Sequence, residues 1–349
     1  MTSVVDPLAA TCPAPLTETT HVLLGHGSGG RLMAELLADL GPILGTATDD
    51  DAAVVAMGRE EVVVSTDSFV VTPRFFPGGD IGSLAVHGTV NDVAMMGARP
   101  VALSLAYIIE EGLPIDELRR LTASVAKAAA EAGVRVVTGD TKVVGRGAAD
   151  GLYITTTGFG LRLPQADCCG ANGEPGDAVL LSGPIGLHGI TILSTREGLG
   201  FETEIATDSR SLHRLVAAMI LAGGSGVHVL RDPTRGGLAG ALNELAAAAQ
   251  VGVEIDEIAI PVPGPVAAAC EMLGLDPLHV ANEGCLVAFA APDVAGDVLA
   301  AMRTLPEGQQ ARRIGTVTAE HPGRVLMKTP LGSARIVDML VGEQLPRIC

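Results

Sequence analysis

The sequence predicts an α/β protein of about two domains, and three observations carry that prediction. Short β-branched runs alternate with amphipathic runs of helical period along most of the chain. Many of the 44 glycines fall at the junctions between such runs. A length of 349 residues suits about two ordinary cores, and the turn-rich stretch Pro164–Pro175, with Cys168 and Cys169 inside it, reads as the linker between them.

The first twenty residues, rich in Thr, Ala and Pro, read as a loose arm. Gly25-His26-Gly27-Ser28-Gly29-Gly30 then stands directly before the periodic run Leu32, Met33, Leu36, Leu37 and Leu40. A glycine loop that opens a helix presents free N–H groups and a positive dipole end to phosphate, although a hinge with a cap fits the same residues. Glu61–Thr66 is a buried-strand pattern ending at Asp67. Asp80-Ile81-Gly82 opens a helix through Met96, stopped by Gly97 with Pro100 beyond it. Asn91 and Asp92 sit on that helix among apolar neighbours, a costly place for polar groups without partners. Val101–Ile109 reads as a strand, and Glu117–Ala132 as an amphipathic helix. Strand Val134–Thr138 delivers Gly139-Asp140-Thr141-Lys142 as a loop, and Tyr153–Phe159 closes the first half.

The second half starts with strand Ala178–Leu181 and a second glycine loop, Ser182 to Gly189, which contains His188. Leu212–Leu221 reads as a helix. Arg231-Asp232-Pro233-Thr234-Arg235-Gly236-Gly237 precedes the Ala-rich helix Leu238–Ala249, with Thr234 as its expected N-cap. Ala281-Asn282-Glu283-Gly284 leads into strand Cys285–Ala290. From Leu331 to Cys349 the chain reads as a mobile tail; at ~3.6 Å per residue it reaches on the order of 60 Å.

A net charge of −17 and 2% aromatic residues argue against a nucleic-acid surface and suit metal ions. No apolar run approaches the ~20 residues of a membrane span, and the first residues lack a signal-peptide pattern, so a cytoplasmic protein is expected. Six cysteines form no C-x-x-C pair, which indicates neither a zinc site nor a disulfide framework.

Asp51, Asp67, Asp92, Asp140 and Asp232 lie at strand ends, beside glycines or on an otherwise apolar helix face. Any one of them fits a cap or a turn. As a set, with Lys142 beside Asp140, they point to a magnesium–nucleotide site, because converging carboxylates repel one another unless a hard cation joins them.

The motifs His26-Gly27-Ser28-Gly29-Gly30, Ser65-Thr66-Asp67-Ser68, Phe75-Phe76-Pro77-Gly78-Gly79, Asn91-Asp92-Val93-Ala94, Thr138-Gly139-Asp140-Thr141-Lys142-Val143, Asp232-Pro233-Thr234-Arg235-Gly236-Gly237, Ala281-Asn282-Glu283-Gly284 and Pro346-Arg347-Ile348-Cys349 together resemble those of the HypE family of hydrogenase maturation proteins. This family falls within the PurM-like superfamily of aminoimidazole ribonucleotide synthetase and selenophosphate synthetase. The resemblance runs from about residue 21 to the end, and the last four residues are its most specific part.

It implies a two-domain PurM-like fold, with mixed sheets backed by helices in domains 21–163 and 176–330, a carrier tail 331–349, and a homodimer whose N-terminal sheets pair. It also implies an ATP-dependent carbamoyl dehydratase: a HypF-type carbamoyltransferase loads Cys349, the S-carboxamide becomes a thiocyanate, and HypC and HypD receive the cyanide for a nickel–iron hydrogenase. Cys349, Glu283 and Lys142 are the implied catalytic residues, with Glu283 the base and Lys142 supporting the oxygen. Gly27, Ser28, Gly29, Gly30, Thr66, Asp67, Asn91 and Asp140 are candidates for the nucleotide, and Asp50, Asp51, Asp67, Asp92 and Asp232 for Mg²⁺. Without the resemblance, Glu283 reads as a turn residue and Lys142 as a solvent-facing lysine. The other reading of the motifs is a small-molecule kinase or synthetase of the same superfamily, indifferent to loss of Cys349.

Overall fold

The structure is a computed structural model and describes residues 21–27, 30–44, 50–199, 205–340 and 347–349. The arm before His21 and the loop residues Ser28 and Gly29 lie outside the described residues.

Among the described residues the first half builds a five-stranded sheet in the order β1-β2-β7-β5-β6, from β1 (Ala53–Met57), β2 (Glu60–Phe69), β5 (Ala98–Glu110), β6 (Arg135–Val144) and β7 (Leu152–Arg162). The pairings are antiparallel except for the parallel β5–β6 pair, whose crossover is helix α3 (Ile115–Ala132). Helix α1 (Arg31–Leu44) precedes the sheet, and a small ribbon of β3 (Phe75–Phe76) and β4 (Gly79–Asp80) leads into α2 (Ile81–Met95).

Helix α2 begins where the sequence predicts, and for a local reason. The Asp80 carboxylate accepts from the N–H groups of Gly82 and Ser83 at 2.8 and 2.9 Å, while the Asp80 N–H donates back to Ser83 Oγ at 3.1 Å. Nearly all of its faces are buried, because it lies between the sheet, α3 and the second half of the chain. Gly88 permits that closeness: a Cβ there would come within 2.9 Å of the Phe69 ring. Phe69, Ile81, Leu84, Leu121, Leu152 and Ile154 form the core beneath it.

The second half builds a seven-stranded mixed sheet in the order β14-β13-β10-β12-β8-β11-β9. Its strands are β8 (Ala178–Leu181), β9 (Val227–Arg231), β10 (Gly252–Asp256), β11 (Val287–Ala290), β12 (Arg312–Thr318), β13 (Val325–Lys328) and β14 (Ala334–Val337). Helices α5 (His213–Gly223), α6 (Gly237–Ala249) and α8 (Ala295–Arg303) pack on it, while α4 (Leu187–Glu197) and α7 (Gly264–Leu273) join the core that holds Phe69 and Ile81. Phe289, Leu238, Leu242 and Leu245 lie in one of its cores.

Three expectations are revised. Gly139-Asp140-Thr141-Lys142 lies inside β6 and forms no loop, since β6 stays paired with β5 through Val144. Gly139 meets a steric need there: a Cβ would fall 2.1 Å from the Leu105 carbonyl oxygen. Helix α6 is capped by Gly236 at φ +78°, without Thr234, because Asp232 and Thr234 close a turn of their own ahead of it. The tail does not leave the fold at Leu331, because Ala334–Val337 pairs with β13.

Candidate active site

Strand β2 and helix α2 bring the first half's carboxylates together. Asp67 lies within β2, and the Ser65 hydroxyl, two residues back on the same face, donates to Asp92 Oδ2 at 2.7 Å. From the second half, the turn after β9 adds Asp232 and Arg235, and the turn before β11 adds Glu283. Asn282 joins these two turns: its amide donates to the Pro233 carbonyl at 2.8 Å and its Oδ1 accepts from the Gly186 N–H at 2.6 Å.

The result is a cavity of about 550 Å³ lined by Asp51, Asp67, Asp92, Arg235, Glu283 and Cys349, with Gly30 and Thr66 at its wall. Cys349 reaches it because residues 347–349 lie beside the end of β2. The Val70 N–H donates to a main-chain oxygen of the terminal Cys349 at 3.0 Å and the Thr72 N–H to the Arg347 carbonyl at 3.2 Å. Arg196 donates to the Arg347 and Thr72 carbonyls at 2.8 and 2.9 Å, and Arg347 pairs with Asp150 at 2.6 Å. Ile348 is buried in the core that holds Phe76, Ile190 and Ile205.

Electrostatics set this cavity apart. Burial pushes the Asp51, Asp67, Asp92 and Glu283 carboxyls up, and their acidic neighbours add to this for Asp51, Asp92 and Glu283. Asp232 is raised to about 6, chiefly by burial and against the pull of Arg231. Burial also raises the Cys349 thiol well above its ordinary value, while Arg235 pulls it down and Glu283, Asp67 and Asp92 push it up. Arg235 is therefore the cation that faces both the thiol and the acids, and its Nη1 also donates to the Gly27 carbonyl at 2.9 Å. Sequence reasoning quoted its motif without giving it a role; a cation between Asp-Pro-Thr and the paired glycines that start a helix is the signal it left unused.

Other expected residues fall elsewhere. Asp50 borders the cavity, but its oxygens accept from the Gly170 N–H at 2.7 Å and the Cys169 thiol at 3.2 Å. Asp51 is paired with Arg231 at 2.9 Å. Asn91 does not face the cavity: its amide donates to the Arg210 carbonyl at 3.0 Å and its Oδ1 accepts from the Leu212 N–H at 2.8 Å. Asp140 and Lys142 pair with each other on the exposed edge strand β6, away from the cavity of the same chain.

Among the described residues no three His, Cys, Asp or Glu side chains stand close enough to hold a metal ion by themselves. Asp232 Oδ2 is nevertheless buried without a hydrogen-bond partner, and its neighbours Asp67 and Asp92 are acidic. Such a set fits an ion that arrives on a polyphosphate and takes only one or two carboxylates from the protein.

Comparison with known proteins places the chain in a family. The family "AIR synthase related protein, N-terminal domain" matches residues 49–162, and "AIR synthase related protein, C-terminal domain" matches residues 174–328. The carbamoyl dehydratase HypE of Azotobacter vinelandii is 56% identical over 330 residues, covering 93% of this chain and 96% of that protein. A crystal structure of the hydrogenase maturation protein HypE in complex with ATP superposes with a TM-score of 0.80 at 51% identity, covering 94% of this chain and 100% of that one. The HypE–HypF complex gives 0.82 at 43% identity, covering 89% and 100%. With two AIR synthase-related units, and with more than half its residues shared with a curated relative across nearly its whole length, the chain belongs to the HypE carbamoyl dehydratase family of hydrogenase maturation proteins.

Proposed function

We propose that the protein dehydrates an S-carboxamide on its own Cys349 to an S-thiocyanate at the expense of ATP. The observation that carries this reading is the seat of Cys349 in the cavity that holds Glu283, Arg235 and the buried carboxylates. A carboxamide oxygen leaves poorly as hydroxide, so it must first take the γ-phosphoryl group. In the balanced reaction that oxygen departs in inorganic phosphate, two protons leave the nitrogen, and the C≡N bond forms. Glu283 is 2% exposed and its proton affinity is raised by burial and by Asp232, Asp208 and Asp67, which suits a base acting on nitrogen. Arg235 faces the same sulfur and is placed to stabilise charge that develops on the oxygen.

Asp51, Asp67, Asp92 and Asp232 would hold Mg²⁺ with the nucleotide, and the ion would neutralise charge on the transferring phosphoryl group. The glycine loop around Gly27 and Gly30 would cradle phosphates, with Thr66 beside it. Asp140 and Lys142 would serve from the edge strand of a second copy, in a homodimer that places β6 of one protomer near the cavity of the other.

A HypF-type carbamoyltransferase would load the thiol and a HypC–HypD pair would take the cyanide; the related HypE–HypF complex supports the first of these. Among the described residues Cys168, Cys169, Cys270, Cys285 and Cys349 are free thiols and no helix is long and apolar enough to cross a membrane. Both facts suit the cytoplasm.

The test is the mass of the Cys349 peptide after carbamoylation and addition of Mg–ATP. The expected change is the loss of one water in the wild type. Glu283→Gln should bind ATP and accept the carbamoyl group yet dehydrate at least about a hundredfold more slowly. Dehydration by Glu283→Gln at the wild-type rate would place the base elsewhere, and turnover of a free metabolite by Cys349→Ala would favour the kinase reading.

A further inference from the structure

The stretch Thr207–Leu212 belongs to no helix or strand and carries none of the sequence motifs. It nevertheless contacts the Glu283 turn, the histidine that holds the tail, and helix α2. Asp208, 7% exposed, accepts from the Glu283 N–H at 3.1 Å through Oδ1 and from the Gly284 N–H at 3.0 Å through Oδ2. Arg210 takes the other side of the same two peptide groups: its N–H donates to the Glu283 carbonyl at 3.2 Å and its Nε to the Gly284 carbonyl at 3.0 Å. Every polar backbone atom of Glu283 and Gly284 is thus bonded to this stretch. The approach is so close that a Cβ on Gly284 would fall 1.7 Å from the Asp208 carbonyl oxygen.

The neighbouring residues extend the hold. The Thr207 hydroxyl bonds to His188 Nδ1 at 2.7 Å, and His188 Nε2 bonds to the Ile348 carbonyl at 2.6 Å, one residue before the reacting cysteine. A carbonyl can only accept, so Nε2 carries the proton; burial keeps the ring neutral, and Nδ1 then accepts from Thr207. On the far side, the Arg210 carbonyl and the Leu212 N–H are bonded to Asn91, which precedes Asp92 on α2.

We propose that Thr207–Leu212 is a positioning strut that fixes the Glu283 loop and the docked tail relative to each other, with Asp208 orienting the loop and Thr207 orienting the histidine that holds the tail. This rests on the reading of Glu283 as the base and of docked Cys349 as the carrier of the reacting group. The physical need is plain. Glu283 stands in a turn before its strand, and a base in an irregular segment is aimed only as well as its own peptide groups are held. Proton removal from the carboxamide nitrogen tolerates little misplacement, and an error near 1 Å costs on the order of a hundredfold. An acceptor-only carboxylate spanning two successive N–H groups supplies the constraint, and one amide cannot replace it, because its NH₂ would face one of the two donors.

The experiment follows a single turnover of the full-length protein, carbamoylated on Cys349 by its carbamoyltransferase partner, by the mass of the C-terminal peptide after Mg–ATP is added. Asp208→Asn should slow dehydration by at least about tenfold and Asp208→Ala by more, so that the closer replacement rescues part of the rate. Carbamoylation and the affinity for a non-hydrolysable ATP analogue should stay within about twofold of wild type, which separates aim from general loosening. Thr207→Val should slow the same step and speed alkylation of the uncarbamoylated Cys349 by iodoacetamide. Wild-type dehydration by Asp208→Asn would overturn the proposal, as would a slowing matched by an equal loss of nucleotide affinity. If Asp208→Asn does not fold, Thr207→Val and Arg210→Lys decide, and wild-type turnover in both would overturn it. Glu283→Gln, run in parallel, keeps the two readings apart. Normal turnover by that variant removes the base and the strut together, whereas an inactive Glu283→Gln beside a normal Asp208→Asn removes the strut alone.

Discussion

Asp92 illustrates what a single carboxylate costs in this site. It sits on a helix whose other faces are packed, accepts one hydrogen bond from Ser65, and is surrounded by Asp232, Asp67 and Asp51. Charge at that position is disfavoured unless a cation is present, as the proposed magnesium site would supply. Asp92→Asn should therefore raise the unfolding free energy of the nucleotide-free protein, by on the order of 1 kcal/mol at pH 8, and abolish magnesium-dependent nucleotide binding. Urea titration and calorimetry with Mg–ATP check the two halves; a less stable variant that still binds would contradict both. The sequence showed such aspartates as suspects because Asp92 interrupts an apolar helix face. It could not show which acids face one another, because Asp50 and Asp51 are adjacent yet one bonds a turn while the other meets Arg231.

At the scale of the element, the strand β6 explains both a success and a failure of reading from residues. Helices α2 and α3 were legible because Asp80 and Gly97 bracket the one and a single apolar face marks the other. Thr138 to Lys142 was not, since β6 is exposed along nearly its whole length within this chain and its residues show no alternation between a wet and a dry face. An edge strand with Val137 53% and Val143 68% exposed is an unprotected pairing surface. A second copy that covers it would bury these valines and carry Asp140 and Lys142 towards the partner's cavity. Val137→Asp combined with Val143→Asp should give a monomer by sedimentation and lower dehydration at least about tenfold, with the protomer's own fold retained. An unchanged dimer mass would show that β6 is not the interface.

At the scale of the whole molecule, the site exists only because the chain returns on itself: Asp67 and Asp92 come from the first sheet and its helix, Glu283 and Arg235 from the second half, and Cys349 from the last residues. The sequence showed the order of these parts, but neither how little of the tail is free, since Ala334–Val337 is held in the second sheet, nor the groove that receives its end. That groove depends on His188 and Arg196 bonding to backbone carbonyls, which no side-chain pattern encodes. The same closure leaves an acid-sensitive signature. Burial holds His87 and His188 at about 4 in the folded protein, against about 6.5 for an unfolded histidine. Below pH ~6.5 the unfolded chain takes up these protons and the native one does not, so each histidine lowers stability progressively as pH falls from about 6.5 to about 4. The full gap corresponds to about 3 kcal/mol per histidine. The carboxylates act in the opposite sense: Asp232, raised to about 6, binds its proton more tightly when folded and costs stability as pH rises towards that value. The two slopes partly cancel in the wild type, so the histidine contribution must be read by difference. His188→Gln can still donate to the Ile348 carbonyl and accept from Thr207 but cannot titrate. Its unfolding free energy, from urea titrations at pH 7.0, 6.0, 5.0 and 4.5, should therefore fall less steeply on acidification than that of the wild type, the gap between the curves widening by about 2 kcal/mol over that range. Parallel curves would mean that His188 is protonated in the folded state, and that its bonds to Thr207 and the tail are not those of a neutral ring.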